Sequence, residues 1–173
     1  MEYLRQFVIP FKGLKPGNHQ YDFDVDDLFF ESFDFSEVKK GHIRVHLDMD
    51  KEDTMLVLQF ALKGFVTVPC DRCLEMMDVP VEGEEELIIK FGSDFHEENE
   101  TIQIIPEGET QIDVSPFVYE YINLNIPVRR VHPEDEDGNS LCDPEILKRI
   151  DTVNPSADPD PRWEALKKLK PKN

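Results

Sequence analysis

Strict alternation of apolar and polar residues through the middle of the chain is the feature that most limits how it can fold. In residues 43–49 every second side chain is apolar, and the side chains between are charged or histidine. The stretches 55–68 and 74–92 continue this period of two, one containing Gly64 and the other Gly83. A period of two places the apolar side chains on one face of a β-strand. The pattern predicts three consecutive antiparallel strands, with a bulge or kink at Gly64 and a break at Gly83.

The other predicted elements give an α+β fold. In residues 113–124 the apolar side chains lie three and four apart, with Ser115 as N-cap and Pro116 in the first turn. This pattern predicts one amphipathic helix that covers the sheet. We expect a mainly antiparallel sheet that curls into a partial barrel. Further short strands are predicted at residues 3–11, 19–25 and 101–108, and a single helical turn at residues 36–41 that ends at Gly41.

A change of composition after residue 131 divides the chain. With 173 residues, 39% of them hydrophobic, the chain can bury one sizeable core, which predicts a single α+β domain over residues 1–131. Residues 132–161 are rich in proline and aspartate and have no apolar period, which predicts an acidic loop segment. Residues 162–173 carry five basic side chains and one carboxylate. We expect this last piece to be a short, basic, helical tail.

The net charge is strongly negative. A formal charge of −18 at pH 7 repels phosphate backbones and attracts basic partners. No run approaches the roughly 18 to 20 consecutive apolar residues that a membrane helix needs, and the first residues lack the layout of a signal peptide. The sequence therefore predicts a cytoplasmic protein without a membrane partner.

Two of the three cysteines, Cys70 and Cys73, lie in a C-x-x-C turn between two predicted strands. Such a turn can direct two thiolates at one tetrahedral metal, and a closed zinc site then needs two more ligands. The candidates are His132 and Cys142, which follow the predicted helix. Two interpretations stay open: a structural zinc site formed by these four residues, or a hairpin turn with ordinary buried cysteines. A thioredoxin-like redox site is disfavoured, because here a strand follows the turn instead of a helix.

The sequence contains no established catalytic motif. It has no phosphate-binding G-x-x-x-x-G-K-[ST], no G-x-G-x-x-G, no H-E-x-x-H and no G-x-S-x-G. The chain is therefore predicted not to be an enzyme and to have no small-molecule substrate. A role in binding or assembly remains.

Four stretches together carry a family resemblance: SEVKKGHIRVHLDMDKED, LQFALKGFVTVPCDRCLE, DVSPFVYEYINLNIPVRRVH and DPRWEALKKLK. They resemble the YceD family, also called the large ribosomal RNA subunit accumulation proteins, in its Bacteroidetes form. The resemblance implies a small cytoplasmic bacterial protein, often encoded beside a ribosomal protein, that supports accumulation or processing of large-subunit ribosomal RNA.

The chain departs from the family at the second cysteine pair that many members carry after the helix. Here only Cys142 is retained, and Glu145 stands where the second cysteine would be. A four-cysteine zinc site is thereby excluded. The possible zinc ligands that remain are Cys70, Cys73, His132 and Cys142.

The resemblance and the charge together predict a ribosome biogenesis factor that is not an enzyme. Its partner would be a precursor of the large ribosomal subunit, contacted through a basic ribosomal protein, through ribosomal RNA, or through both. Because the body of the chain is acidic, RNA contact is assigned to the basic tail, with a second candidate group formed by Lys39, Lys40, Arg129 and Arg130. The competing hypothesis is a metal-binding or redox-sensing module centred on Cys70 and Cys73. The predicted partner-binding residues of the tail are Arg162, Trp163, Lys167, Lys168 and Lys170.

Overall fold

The computed structural model describes residues 3–99 and 101–153. By its internal contacts the chain divides into two compact units, Met1–Pro69 with Met76–Arg130, and Cys70–Glu75 with Val131–Asn173. A 3₁₀-helix spans Tyr3–Phe7. The strands are β1 Val8–Ile9, β2 Gly17–Val25, β3 Lys40–Lys51, β4 Met55–Pro69, β5 Met76–Gly92, β6 His96–Asn99, β7 Ile102–Pro106 and β8 Ile112–Asp113, and the α-helices are α1 Asp27–Glu31, α2 Ser115–Leu124 and α3 Pro144–Val153.

The first unit is built on an open sheet with the strand order β2-β3-β4-β5-β7-β6. The strands β2 to β5 form an antiparallel meander, and β6 pairs antiparallel with β7. One pair, β5 and β7, is parallel. The α+β class is therefore confirmed, but the sheet is mixed instead of purely antiparallel. After β5 the chain forms the edge strand β6 and then turns back as β7, which lies between β6 and β5. β7 therefore runs in the same direction as β5 and pairs with it in parallel. The curl into a partial barrel stays a prediction.

The alternation that predicted the central strands is also the pattern of burial. Ile43, Val45, Leu47 and Met49 of β3 have no exposed surface, and their neighbours along the strand face outward. Burying one such side chain contributes roughly 1.5–3 kcal/mol. Packing into the core of the first unit therefore explains why apolar residues occupy every second position of β3.

Two glycines that predicted irregularities lie in regularly paired strands. Gly64 pairs with Ile43 and Gly83 pairs with Leu62, both in unbroken register. A Cβ atom at Gly64 would overlap the backbone of β3, and one at Gly83 would overlap the side chain of Asn125, which follows α2. These glycines permit close approach within the unit. The predicted break at Gly83 and a bulge at Gly64 are therefore wrong, and a kink at Gly64 stays a prediction.

The helix predicted over residues 113–124 is present as α2, but its N-terminus differs from the prediction. Ser115 is the first helical residue and is buried, and the N-cap position is held by Val114. The Asp113 carboxylate accepts hydrogen bonds from the backbone N and the Oγ of Ser115, at 2.9 and 2.7 Å. Asp113, which directly precedes the N-cap residue Val114, therefore accepts the hydrogen bonds at the start of the helix.

The short helix lies earlier than predicted. Residues 36–39 contain no helix, because the chain there runs directly into β3, which includes Gly41. The helical turn is α1 instead, where Asp26 accepts hydrogen bonds from the backbone N of Leu28 and Phe29 at 3.0 and 3.3 Å. Burial of two consecutive phenylalanines fixes this turn in the core.

The amino-terminal segment was predicted as a strand over residues 3–11, and most of it is not. A 3₁₀-helix places Phe7 in the core, where its ring lies 5.0 Å from that of Phe23 and 4.9 Å from that of Phe29. Only the two residues of β1 pair, with β8. Aromatic packing therefore determines the backbone conformation here.

The second unit contains a helix in a segment whose composition predicted a loop. α3 begins at Pro144, and the backbone N of Glu145 donates to the Asp143 carboxylate at 2.7 Å. The predicted basic tail, residues 162–173, lies outside the described residues. Among the described helices none is long and apolar enough to cross a membrane.

The contact at Gly83 gives a stability prediction. The Asn125 amide donates to the Glu85 carboxylate and to the Tyr121 carbonyl, both at 2.9 Å, so it is not free to move aside. We expect Gly83→Ala to lower the free energy of unfolding by about 1–3 kcal/mol, as overpacking does. Urea denaturation measures this difference.

Gly108→Ala is the matched control, because a Cβ atom there meets nothing within 4 Å. It should leave stability nearly unchanged. In an Asn125→Ala background, Gly83→Ala should cost much less than in the native chain. Equal stability of the Gly83→Ala and Gly108→Ala proteins would contradict the proposed overlap.

Candidate metal centre

The first arm of the candidate site is the turn between β4 and β5. The backbone N of Cys70 donates to the Glu75 carbonyl at 2.8 Å, and the N of Leu74 donates to the Cys70 carbonyl at 3.0 Å. Leu74 closes the turn with a φ of 64°, in the left-handed region that few non-glycine residues adopt. The backbone N of Arg72 lies 3.4 Å from the Cys70 sulfur. This turn buries the sulfur-bearing side chains of both Cys70 and Cys73.

The second arm is a small hairpin in the segment after residue 131. Glu134 and Ser140 form an isolated antiparallel bridge, and the N of Leu141 donates to the Pro133 carbonyl at 3.0 Å. His132 and Cys142 flank the hairpin. The antiparallel pairing of the hairpin brings these two residues, which are ten positions apart in the sequence, side by side.

The tip of that hairpin is held by one carboxylate. Asp135 accepts hydrogen bonds from the backbone N of Asp137 at 3.0 Å and from that of Asn139 at 2.7 Å. The hydrogen bond from Asn139 is the largest of the causes that hold the pKa of Asp135 below its ordinary value. Gly138, at φ 81°, supplies the left-handed residue that the turn requires. Asp135 therefore has a structural role in this turn.

The two arms bring all four predicted ligands together. One ligand atom from each of Cys70, Cys73, His132 and Cys142 lies within 4.8 Å of the others. The Cys70 and Cys142 sulfurs are 3.7 Å apart, and the His132 Nδ1 lies 3.4 Å from the Cys73 sulfur and 3.8 Å from the Cys142 sulfur. The three cysteines are buried and the histidine is half-buried. All four residues belong to the second unit.

These distances match the edges of a tetrahedral metal site. With metal–sulfur bonds of about 2.3 Å and metal–nitrogen bonds of about 2.0–2.1 Å, a regular tetrahedron has S···S edges of about 3.8 Å and S···N edges of about 3.6 Å. The sulfur pair at 3.7 Å and the sulfur–nitrogen pairs at 3.4 and 3.8 Å agree with those values. The donor set and its spacing therefore fit a four-coordinate metal.

The cysteines are free thiols, and one of them is prepared for ionisation. A sulfur separation of 3.7 Å far exceeds a disulfide bond of about 2.05 Å. Burial alone would raise the pKa of Cys70, but hydrogen bonds from the backbone of Cys73, Arg72 and His132, with one from the His132 side chain, lower it to about 6. Burial raises the pKa of Cys73. Cys70 is therefore better able than Cys73 to bind a metal as thiolate near neutral pH.

Two further residues, which the sequence did not single out, join the arms. The Arg72 guanidinium Nη1 lies 3.4 Å from the Ser140 Oγ, which accepts from the backbone N of Cys142 at 3.3 Å. The position of Arg72 between the two turn cysteines is a sequence signal from which a role at the site can be predicted. No feature of the sequence indicates such a role for Ser140.

Glu145, at the position where the family resemblance implies a second cysteine, is not part of the cluster. It is exposed in the first turn of α3. His132 supplies the fourth ligand atom of the group. The other predicted site residues, Arg162, Trp163, Lys167, Lys168 and Lys170, lie outside the described residues.

In comparisons with known proteins, the family model described as Large ribosomal RNA subunit accumulation protein YceD matches residues 58–170, which is well over half of the chain. No curated protein and no solved structure matches it. The matched range contains both arms of the cluster and the helix α2. The chain therefore belongs to the YceD family of large ribosomal RNA subunit accumulation proteins.

Proposed function

We propose that this protein is a cytoplasmic, non-enzymatic biogenesis factor that supports the accumulation or processing of large-subunit ribosomal RNA. The observation that carries the proposal is the family match over residues 58–170. Assignment to the Bacteroidetes form of the family rests on the sequence resemblance alone.

We further propose contact with a basic ribosomal protein of the large-subunit precursor. Proteins gain most of their nucleic-acid affinity by neutralising phosphates, and a chain with a net charge of −18 is poorly suited to do so. Contact with precursor RNA is assigned to the basic tail, through Arg162, Trp163, Lys167, Lys168 and Lys170.

The metal proposed for the cluster is zinc in a structural role. Three thiols and one imidazole form a common zinc donor set, and four protein ligands leave no open position for a substrate or a reactive water. Every residue of the described hydrophobic core belongs to the first unit. In the described part of the second unit the only buried side chains are the three cysteines. Because this described part has no apolar core, its stability needs another source, and structural zinc contributes on the order of 10 kcal/mol in small sites.

The competing hypothesis of a metal-binding or redox-sensing module without a ribosomal role is not better supported. The cluster fits a structural metal inside a family described by ribosomal RNA accumulation. The two hypotheses differ in what depletion of the protein does to ribosomal RNA.

Depletion of the protein from growing cells should lower mature large-subunit ribosomal RNA relative to small-subunit ribosomal RNA. Northern analysis and sedimentation profiles measure the ratio, and expression of the native chain should restore it. Unchanged RNA levels and normal subunit profiles would remove the ribosomal proposal.

Variants expressed in the depleted cells test the proposed role of the tail. Triple Lys→Gln substitution at residues 167, 168 and 170 is expected to abolish restoration. Substitution of Lys12, Lys15 and Lys63 by Gln changes the net charge equally at exposed positions and should restore the ratio. Equal behaviour of the two triple variants would count against an RNA-contacting tail.

The purified protein should contain about one zinc ion per chain by elemental analysis. His132→Gln and Cys70→Ser are each expected to lower the zinc content, and His42→Gln, which changes an exposed histidine of β3, should not. Zinc should also leave as the pH falls, because thiolates and imidazole bind metal only after losing their protons. A zinc-free protein with an undiminished melting temperature would overturn the structural role.

A further inference from the structure

An apolar cleft of about 450 Å³ lies in the first unit between α2 and the strands β7 and β8. Ile105 and Ile112, both buried, belong to its lining, together with the half-buried Phe117 of α2. Phe95 stands at the cleft with 67% of its surface exposed. Together the ring and the cleft present a contiguous apolar surface that a docked side chain would cover.

The charges that line this cleft are negative. Two of them belong to Glu109, which lies before β8, and to Glu120, which lies on α2. Neither carboxylate forms an ion pair with any described residue. Among the residues that the structure describes, no lysine, arginine or histidine lines the cleft. Asp113, the third acid there, is already bonded to Ser115.

These two properties define the chemistry of an occupant. The apolar lining favours an aromatic or aliphatic side chain, whose burial with the Phe95 ring removes apolar surface from water. The free carboxylates favour lysine or arginine beside that side chain and disfavour phosphate, so nucleic acid is a poor occupant. Contact between arginine and an exposed ring adds a cation–π attraction.

We propose that this cleft docks a segment of a basic protein, taking one bulky apolar side chain between Phe95 and Phe117, with flanking lysine or arginine facing Glu109 and Glu120. The inference rests on the proposed function, because it assigns a surface to the basic ribosomal protein proposed as partner. Hot spots of this kind, one apolar anchor surrounded by charge, dominate the affinity of many interfaces.

The test uses the full-length protein and a fluorescent synthetic peptide of lysine and arginine with one central tryptophan. Fluorescence anisotropy at physiological salt gives its affinity. The double variant Glu109→Gln, Glu120→Gln is expected to weaken binding about tenfold, from the loss of two exposed charge pairs. Both positions are exposed, so the variant should fold normally. A matched peptide with alanine in place of tryptophan should also bind about tenfold more weakly, because the apolar anchor is lost.

The matched control is Glu84→Gln, Glu86→Gln, which removes the same charge from the exposed face of β5. It should change the affinity less than about twofold, since distant exposed charges are screened. An equal loss in both double variants, or an unchanged affinity of the alanine peptide, would overturn the proposal. A tenfold rise in the affinity for the peptide after Trp163→Ala would also overturn the proposal, because it would show that the chain's own tail competes with the peptide for the cleft.

Restoration of ribosomal RNA in depleted cells separates this proposal from the ribosomal function. The cleft variant Glu109→Gln, Glu120→Gln should fail to restore the ratio, and the control variant Glu84→Gln, Glu86→Gln should restore it. If depletion lowers the ratio and the cleft variant restores it fully, the docking proposal is wrong and the ribosomal function stands. If depletion has no effect, the ribosomal function fails, and the partner proposed for the cleft fails with it.

Discussion

Convergence of three sulfurs and one imidazole nitrogen is the constraint on which the second unit depends. The Cys70 and Cys142 sulfurs lie 3.7 Å apart although 72 positions separate them in the sequence, and the Cys73 sulfur lies 3.4 Å from the His132 Nδ1 although 59 positions separate them. The described part of this unit has no buried apolar side chains apart from the cysteines themselves. Within residues 70–75 and 131–153 the turn, hairpin and helix share no hydrophobic core, which is the situation in which small domains use a metal.

The sheet of the first unit supplies the turn that carries half of this cluster. β4 and β5 pair without interruption from Met55 with Lys90 to Pro69 with Met76, so the register of the hairpin fixes where Cys70 and Cys73 fall. That register is in turn fixed by the buried face, since a slip of one residue would turn every apolar side chain outward. The pattern of buried side chains in β4 and β5 therefore determines which residues form the turn.

Sequence reasoning succeeded where a local pattern reports directly on burial or on a turn. The alternation of β3, the helical period of α2 and the C-x-x-C spacing are of this kind. It failed where contacts between residues distant in the sequence determine the structure. Phe7 packs on Phe23 and Phe29, and its segment forms a 3₁₀-helix instead of the predicted strand. Gly83 is required because the Asn125 side chain lies where a Cβ atom would be. The start of α3 was overlooked, although Asp143 and Pro144 are ordinary helix-start signals, because the acidic, proline-rich composition around it favoured a loop. The parallel pairing of β5 with β7 has no local signal.

The central claim is that a zinc ion held by three sulfurs and one nitrogen stabilises the second unit. X-ray absorption at the zinc edge of the full-length protein tests it most directly, because the spectrum reports the ligand atoms and their distances. The account predicts three sulfur neighbours at about 2.3 Å and one nitrogen neighbour at about 2.0–2.1 Å. A first shell of oxygen and nitrogen atoms alone, or a shell with an oxygen in place of one protein ligand, would contradict it.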